Sequence, residues 1–137
     1  MNNTMIEKTL SIIKPDAVER NLDSKIKSFF MSNSLQVKES KKVKISKEEA
    51  AEFYKVHQTK PFYKDLCNYL SSGPIIVMIL EGDNAVIKNR ELMGATDPLK
   101  ADEGTLRKMY GLSIDKNSVH GSDSVENAKI EINFFFK

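Results

Sequence analysis

The chain has 137 residues, 40% of them hydrophobic and 29% charged, with a formal net charge of +2. That is the length of one ordinary domain, apolar enough to build a core, and its bulk charge is too small to hold a nucleic acid. A single cysteine, Cys67, excludes an internal disulfide, and with only two histidines beside it the usual zinc sites are excluded too.

The first eight residues lack a basic segment followed by an apolar run, so they do not read as a signal peptide. Thr9-Leu10-Ser11-Ile12-Ile13 reads as a buried strand ending at Lys14-Pro15-Asp16, where Pro15 opens a helix with Asp16 in its first turn. Ile26, Phe29 and Phe30 give that helix its apolar stripe. Residues 35–45 alternate, with Val37, Val43 and Ile45 among lysines, which predicts a half-exposed strand. Ser46-Lys47-Glu48-Glu49 has the spacing of a capping box, and Ala50, Phe53 and Tyr54 follow on one helical face. After Pro61, residues 62–70 read as a further helix. Residues 75–80 form the longest apolar run, which suits a central strand and is far too short to cross a bilayer. Asp83 is placed to cap a helix that Gly94 ends. Residues 95–121 carry little periodicity, and a long irregular stretch in a small domain is usually functional. Residues 122–134 form the last helix, with Val125, Ala128 and Ile132 facing inward. No repeat, linker or low-complexity tract divides the chain, so residues 1–137 are expected to form one domain.

Strands few in number and joined by helices predict an α+β fold. A ferredoxin-like βαββαβ arrangement fits, with a four-stranded antiparallel sheet and helices packed on one face. The fourth strand has no clear sequence signal: Leu112-Ser113-Ile114 is very short, and residues 130–136 can equally end in an extended tail.

The chemistry concentrates in Asn117-Ser118-Val119-His120-Gly121-Ser122-Asp123-Ser124. A histidine in a polar loop, just before a helix-start signal, suits an anion better than a cation. Gly121 would let a ligand approach closely. Glu131 lies two to three turns into the helix and can fold back on the imidazole, fixing its tautomer and leaving the other nitrogen as nucleophile. A loop histidine is otherwise an ordinary cap. His57, at the end of an amphipathic helix, reads as structural or solvated. Lys14 at a strand end, Arg90 in a last helical turn and Arg107 without an acidic neighbour at helical spacing can clamp a polyphosphate, although spacing alone does not bring them together. Phe62, just after a proline bend, can stack on a nucleobase. Thr96 and Asn117 are equally compatible with turn structure. The phosphate-loop and dinucleotide-binding glycine motifs and the Gly-x-Ser-x-Gly turn are absent from the sequence.

Six segments in order resemble the nucleoside diphosphate kinase family over essentially the whole chain. They are Ile13-Lys14-Pro15-Asp16-Ala17-Val18, Lys60-Pro61-Phe62-Tyr63, Ser72-Gly73-Pro74, Arg90-Glu91-Leu92-Met93-Gly94-Ala95-Thr96, Gly104-Thr105-Leu106-Arg107 and residues 117–124. The resemblance implies ping-pong transfer of a γ-phosphoryl group from a nucleoside triphosphate to a nucleoside diphosphate through phosphorylated His120. It implies that Lys14, Tyr54, Phe62, Arg90, Thr96, Arg107, Ile114 and Asn117 bind the nucleotide, with Phe62 and Ile114 on either side of the base. Lys14 and Asn117 should reach the ribose hydroxyls, and Lys14 the terminal phosphate region as well. Arg90, Arg107 and Thr96 should hold the phosphates, and Glu131 and Ser122 should support the histidine. Mg²⁺ is expected as cofactor, carried by nucleotide phosphates and water with no metal-ligand cluster. A cytoplasmic homo-oligomer, hexamer or tetramer, is expected, with no membrane or nucleic-acid partner.

The chain departs from the family pattern at Asn21-Leu22-Asp23-Ser24, where glycines are usual. It departs again at Glu103, often proline, and at Asp115, usually glycine. Two other classes compete. A nucleotide-binding module without turnover would lack site residues that are all present here, and histidine phosphatases carry Arg-His-Gly where this chain has Val119 before His120.

Overall fold

The computed structural model describes residues 6–114 and 116–136; the first five residues, Asp115 and Lys137 lie outside the described part. Strand β1 (Ile6–Ile13) is buried from Thr9 onward, and β3 (Ile75–Asp83) is buried over its first six residues. These two buried strands pair antiparallel at the centre of a four-stranded sheet of order β2-β3-β1-β4. Strand β2 (Gln36–Val43) is the exposed edge on one side, paired antiparallel to β3 with a bulge between Val37 and Glu39. Strand β4 (Val119–Gly121) is the other edge, paired antiparallel to β1. This is the ferredoxin-like α+β topology, and its fourth strand is the histidine segment itself rather than residues 112–114 or the tail.

Helices cover both faces of the sheet, not one. Alternate residues of β1 and β3 point to opposite sides; both sets are apolar on β3, and on β1 one set is apolar while the other joins Ile13 to buried Thr9 and Ser11, so each face demands its own cover. Ile13, Ile76, Met78 and Leu80 pack with Ile26 and Phe30 of α2 (Asp23–Ser32) and with Ala85 and Met93 of α5 (Ala85–Met93). On the other side Leu10, Ile12, Ile75 and Val77 pack with Ala50 of α3 (Lys47–Phe53), Cys67 and Leu70 of α4 (Tyr63–Leu70), and Phe135 of α7 (Val125–Phe135).

Three helix boundaries differ from the sequence expectation. The helix opened by Pro15 is two helices, α1 (Pro15–Glu19) and α2, because Asn21 turns left-handed with φ 58°. Its N–H bonds Val18 O and that of Leu22 reaches Ala17 O, the paired closure of a Schellman cap. Asparagine thus fills the role of the glycine usual here. Asp83 remains in β3, and left-handed Asn84 precedes α5 without a side-chain cap. Glu7 of β1 instead accepts the Val86 N–H at 3.2 Å, a carboxylate at the positive end of the helix. The last helix begins at Val125, capped by Ser124, and Val125 is exposed while Ala128 is buried. Two other expectations hold, since Ser46 and Glu49 form the reciprocal capping box and Gly94 ends α5 at φ 84°, whereas His57 ends a separate 3₁₀ turn, Lys55–His57, rather than the helix itself. The irregular stretch contains a 3₁₀ turn at Pro98–Lys100 and α6 (Leu106–Tyr110), capped by Thr105. Glu103 is exposed in the turn before it.

Gly121 is needed by the core as well as lining the cleft. A β-carbon there would lie 2.3 Å from Asn89 Nδ2 and 3.0 Å from the Met93 thioether. Gly121→Ala should therefore lower the stability measured by urea unfolding by about 1–3 kcal/mol, the usual cost of overpacking. Adding Asn89→Ala to that variant should recover part of the loss.

Candidate active site

The register of β4 decides which way the histidine faces. His120 sits opposite Ile12, on the sheet face covered by α3, α4 and α7. It is a strand residue, four positions before the Ser124 cap, and not a loop histidine at the helix start. Its Nε2 meets Glu131 Oε1 at 2.9 Å. The same oxygen accepts the Ser122 hydroxyl at 2.9 Å, and Ser122 Oγ in turn accepts the Leu10 N–H at 3.3 Å. Ser122 is fully buried, so it stands behind the carboxylate rather than in the cleft. Phe53 lies edge-on to the imidazole, ring centroids 5.4 Å apart.

The opposite wall comes from the end of β1 and the turn before β4. Ser118, at φ 73°, is the centre of a γ-turn closed by Val119 N–H to Asn117 O at 2.9 Å. Such a conformation is strained for a non-glycine residue and persists only when its surroundings fix it. They do so here: Ser118 O accepts the Lys14 N–H at 2.8 Å, and Ser118 Oγ donates to Asp16 at 2.8 Å. Asp16 is itself held by Tyr69 and Arg20. The turn aims Asn117 at Lys14 Nζ, 2.9 Å away, while its amide donates to Thr96 O at 3.1 Å.

These walls enclose a cleft of about 490 Å³. Lys14, Tyr54, Phe62, Arg90, Thr96, Arg107, Ile114, Asn117, His120 and Glu131 all line it, so every site residue expected from the sequence converges there except the supporting Ser122. Phe62 and Ile114, both about half exposed, give its mouth an apolar pair. Arg107 is 8% exposed and donates to Gly94 O at 3.1 Å and Val119 O at 2.9 Å, locked beside the strand that carries His120. Burial and the neighbouring Arg90 bring its guanidinium down to about 10, so it stays charged at neutral pH. Two cations that repel each other across a cleft make a place that gains from receiving an anion. Tyr54 is buried, and burial together with Glu131 pushes its hydroxyl well above the usual range.

Residues that sequence reasoning passed over also line the cleft. Phe53 carries an ordinary core pattern, and only its position beside Tyr54 hinted otherwise. Asp123 accepts the Asn127 amide at 2.6 Å, which holds its carboxyl below the usual range. His57, read as structural or solvated, lies in the cleft 6.0 Å from Phe62, with Nδ1 buried and unbonded. Its closeness in sequence to Phe62 was the available signal.

The sequence model of the nucleoside diphosphate kinase family matches residues 7–137. The chain belongs to the nucleoside diphosphate kinase family. It is 58% identical to the nucleoside diphosphate kinase of a Campylobacter jejuni strain over 132 residues, covering 96% of each chain. It is also 58% identical to that of Wolinella succinogenes over 131 residues, again 96% of each. Among solved structures it matches the Aquifex aeolicus nucleoside diphosphate kinase with TM-score 0.94 and 39% identity, over 97% of this chain and 96% of that one. The Encephalitozoon cuniculi enzyme matches with TM-score 0.91 at 38% identity, over 95% and 88%. Members of the family are enzymes that transfer phosphoryl groups between nucleotides. Among the described residues no helix is long and apolar enough to cross a membrane, and no group of three or more His, Cys, Asp or Glu is placed to hold a metal ion.

Burial and Lys60 lower the His57 pKa below its ordinary 6.5. Above pH 6.5 the ring is neutral folded or unfolded, and its contribution to stability is fully present. As pH falls from there to the folded pKa, the unfolded chain binds the proton first and that stability is lost. His57→Gln should therefore lose less melting temperature than the parent chain between pH 7 and pH 5, as followed by thermal unfolding.

Proposed function

We propose that the chain moves the γ-phosphoryl group of a nucleoside triphosphate to a nucleoside diphosphate in two half-reactions, with His120 as the covalent carrier. The observation that carries this reading is the His120–Glu131–Ser122 chain facing a cleft lined by Arg90, Arg107 and Lys14. A carboxylate accepting from Nε2–H fixes the tautomer, so Nδ1 keeps its lone pair for attack on phosphorus. Phosphoryl transfer asks mainly for positioning and for neutralisation of charge on the equatorial oxygens. Arg90, Arg107 and Thr96 hold the phosphates, Lys14 reaches the terminal phosphate, and Lys14 with Asn117 takes the ribose hydroxyls. Tyr54 completes the phosphate side of the cleft.

The base lies between Phe62 and Ile114. Stacking reads the π-face common to all bases, so selectivity among them is low. Mg²⁺ accompanies the nucleotide, held by its phosphates and water, and when bound it neutralises developing charge on the transferred group. The residues fit such a nucleotide-borne ion: the two carboxylates that line the cleft are already engaged, Asp123 with the Asn127 amide and Glu131 with His120 and Ser122, and they form no cage. The chain works in the cytoplasm as a homo-oligomer, tetramer or hexamer. A lone buried thiol suits the first claim, and exposed Leu99, Met109 and Leu112 support the second.

Incubation with γ-labelled ATP and Mg²⁺ should yield an acid-labile, alkali-stable phosphoenzyme. His120→Ala should remain unlabelled; equal labelling of that variant would remove His120 as the carrier. Phe62→Ala should raise KM for adenine, guanine and cytosine nucleotides alike, by about 1–3 kcal/mol expressed as binding energy. A strong preference for one base in steady-state assays of the parent chain would contradict stacking recognition. Light scattering after gel filtration should give a mass four or six times that of the chain, and a stable monomer would oppose the assembly.

A further inference from the structure

We propose that Phe53 is a positioning residue for phosphoryl transfer: its ring and the Glu131 carboxylate together fix the orientation of the His120 imidazole. This rests on His120 being the phosphoryl carrier. One hydrogen bond at Nε2 anchors a point on the ring but leaves the plane free to rotate about the line through that point. An attacking nitrogen has to meet the phosphorus in line, so this rotation decides how often the lone pair is aimed correctly. Phe53 supplies the missing restraint. Its ring meets the imidazole at 5.4 Å between centroids and 69° between planes, an edge-on wall against rotation.

The wall is itself immobile. Phe53 ends α3, and its ring packs on Tyr54 at 5.1 Å, Phe134 at 5.6 Å and Phe135 at 5.3 Å. Phe134 and Phe135 follow Glu131 by three and four positions, hence on the same side of α7, one turn further on. A single helix therefore provides both restraints, the carboxylate directly and the wall through two aromatic rings that press Phe53 against the histidine.

The test compares Phe53→Leu, which keeps apolar bulk but loses the planar wall, with Phe53→Tyr, which keeps the ring. Single-turnover phosphorylation by γ-labelled ATP separates three quantities: the rate constant, the ATP concentration at half-saturation, and the fraction of enzyme finally labelled. Phe53→Leu should lower the rate constant about tenfold or more in both half-reactions. Half-saturation and labelled fraction should stay near those of the parent chain, and Phe53→Tyr should restore the rate. An unchanged rate constant overturns the proposal. So does a loss confined to labelled fraction or melting temperature, because that marks a packing role alone. Failure of the parent chain to label at His120 would instead remove the carrier on which the proposal stands, so the two failures are told apart.

Discussion

The pairing of β4 with β1 sets where each group in the cleft can lie. It spans three residue pairs, Ser11 with Gly121, Ile12 with His120 and Ile13 with Val119. Because side chains alternate along a strand, this register sends Val119 into the core beneath α5 and His120 to the opposite face, toward α3 and α7. A slip of one residue would bury the imidazole among Ile13, Met78 and Met93. Two devices hold the register at its ends. Gly121 leaves space that Asn89 and Met93 fill, and the strained Ser118 turn is tied to Lys14, just after β1, and to Asp16 on α1.

That arrangement separates support from chemistry. The buried Asp16, Ser118 and Ser122, with the half-buried Tyr69, face away from the cleft or stand behind it, while Lys14, Asn117 and Arg107 reach it with part of their hydrogen-bonding already spent on the backbone or on each other. Pre-bonded donors cannot wander, so little reorganisation is required when phosphate charge arrives. The burial that lowers the Arg107 pKa to about 10 also strengthens its field at the cleft, since less water screens it.

Much of this was legible in the residues. The unbroken apolar run of β3 and the Leu10, Ile12 and Ile13 of β1 announced buried strands, Ser46 with Glu49 announced a helix start, and Gly94 announced a helix end. The cleft residues were legible because they carry chemistry at turns and helix ends, where a polar side chain needs a reason. The fourth strand was hidden because three residues, one of them glycine and one histidine, have no alternation to read. The break after α1 was hidden because Asn21 takes a left-handed conformation without the glycine that normally signals it. Phe53 was hidden for a different reason: a phenylalanine at helical spacing looks the same in sequence whether its ring fills a core or stands against an imidazole.

Glu131 accepts two hydrogen bonds on a single oxygen, one from the imidazole and one from Ser122. With Nε2 already protonated, the proposed attack by Nδ1 displaces no proton, and the reverse step recovers none. The ring simply becomes cationic as it takes the phosphoryl group, opposite the carboxylate that holds its other nitrogen. The same arrangement thus serves donor and acceptor nucleotides without resetting between them, and the cycle runs as a relay of phosphorus alone, with every acidic hydrogen left where it began.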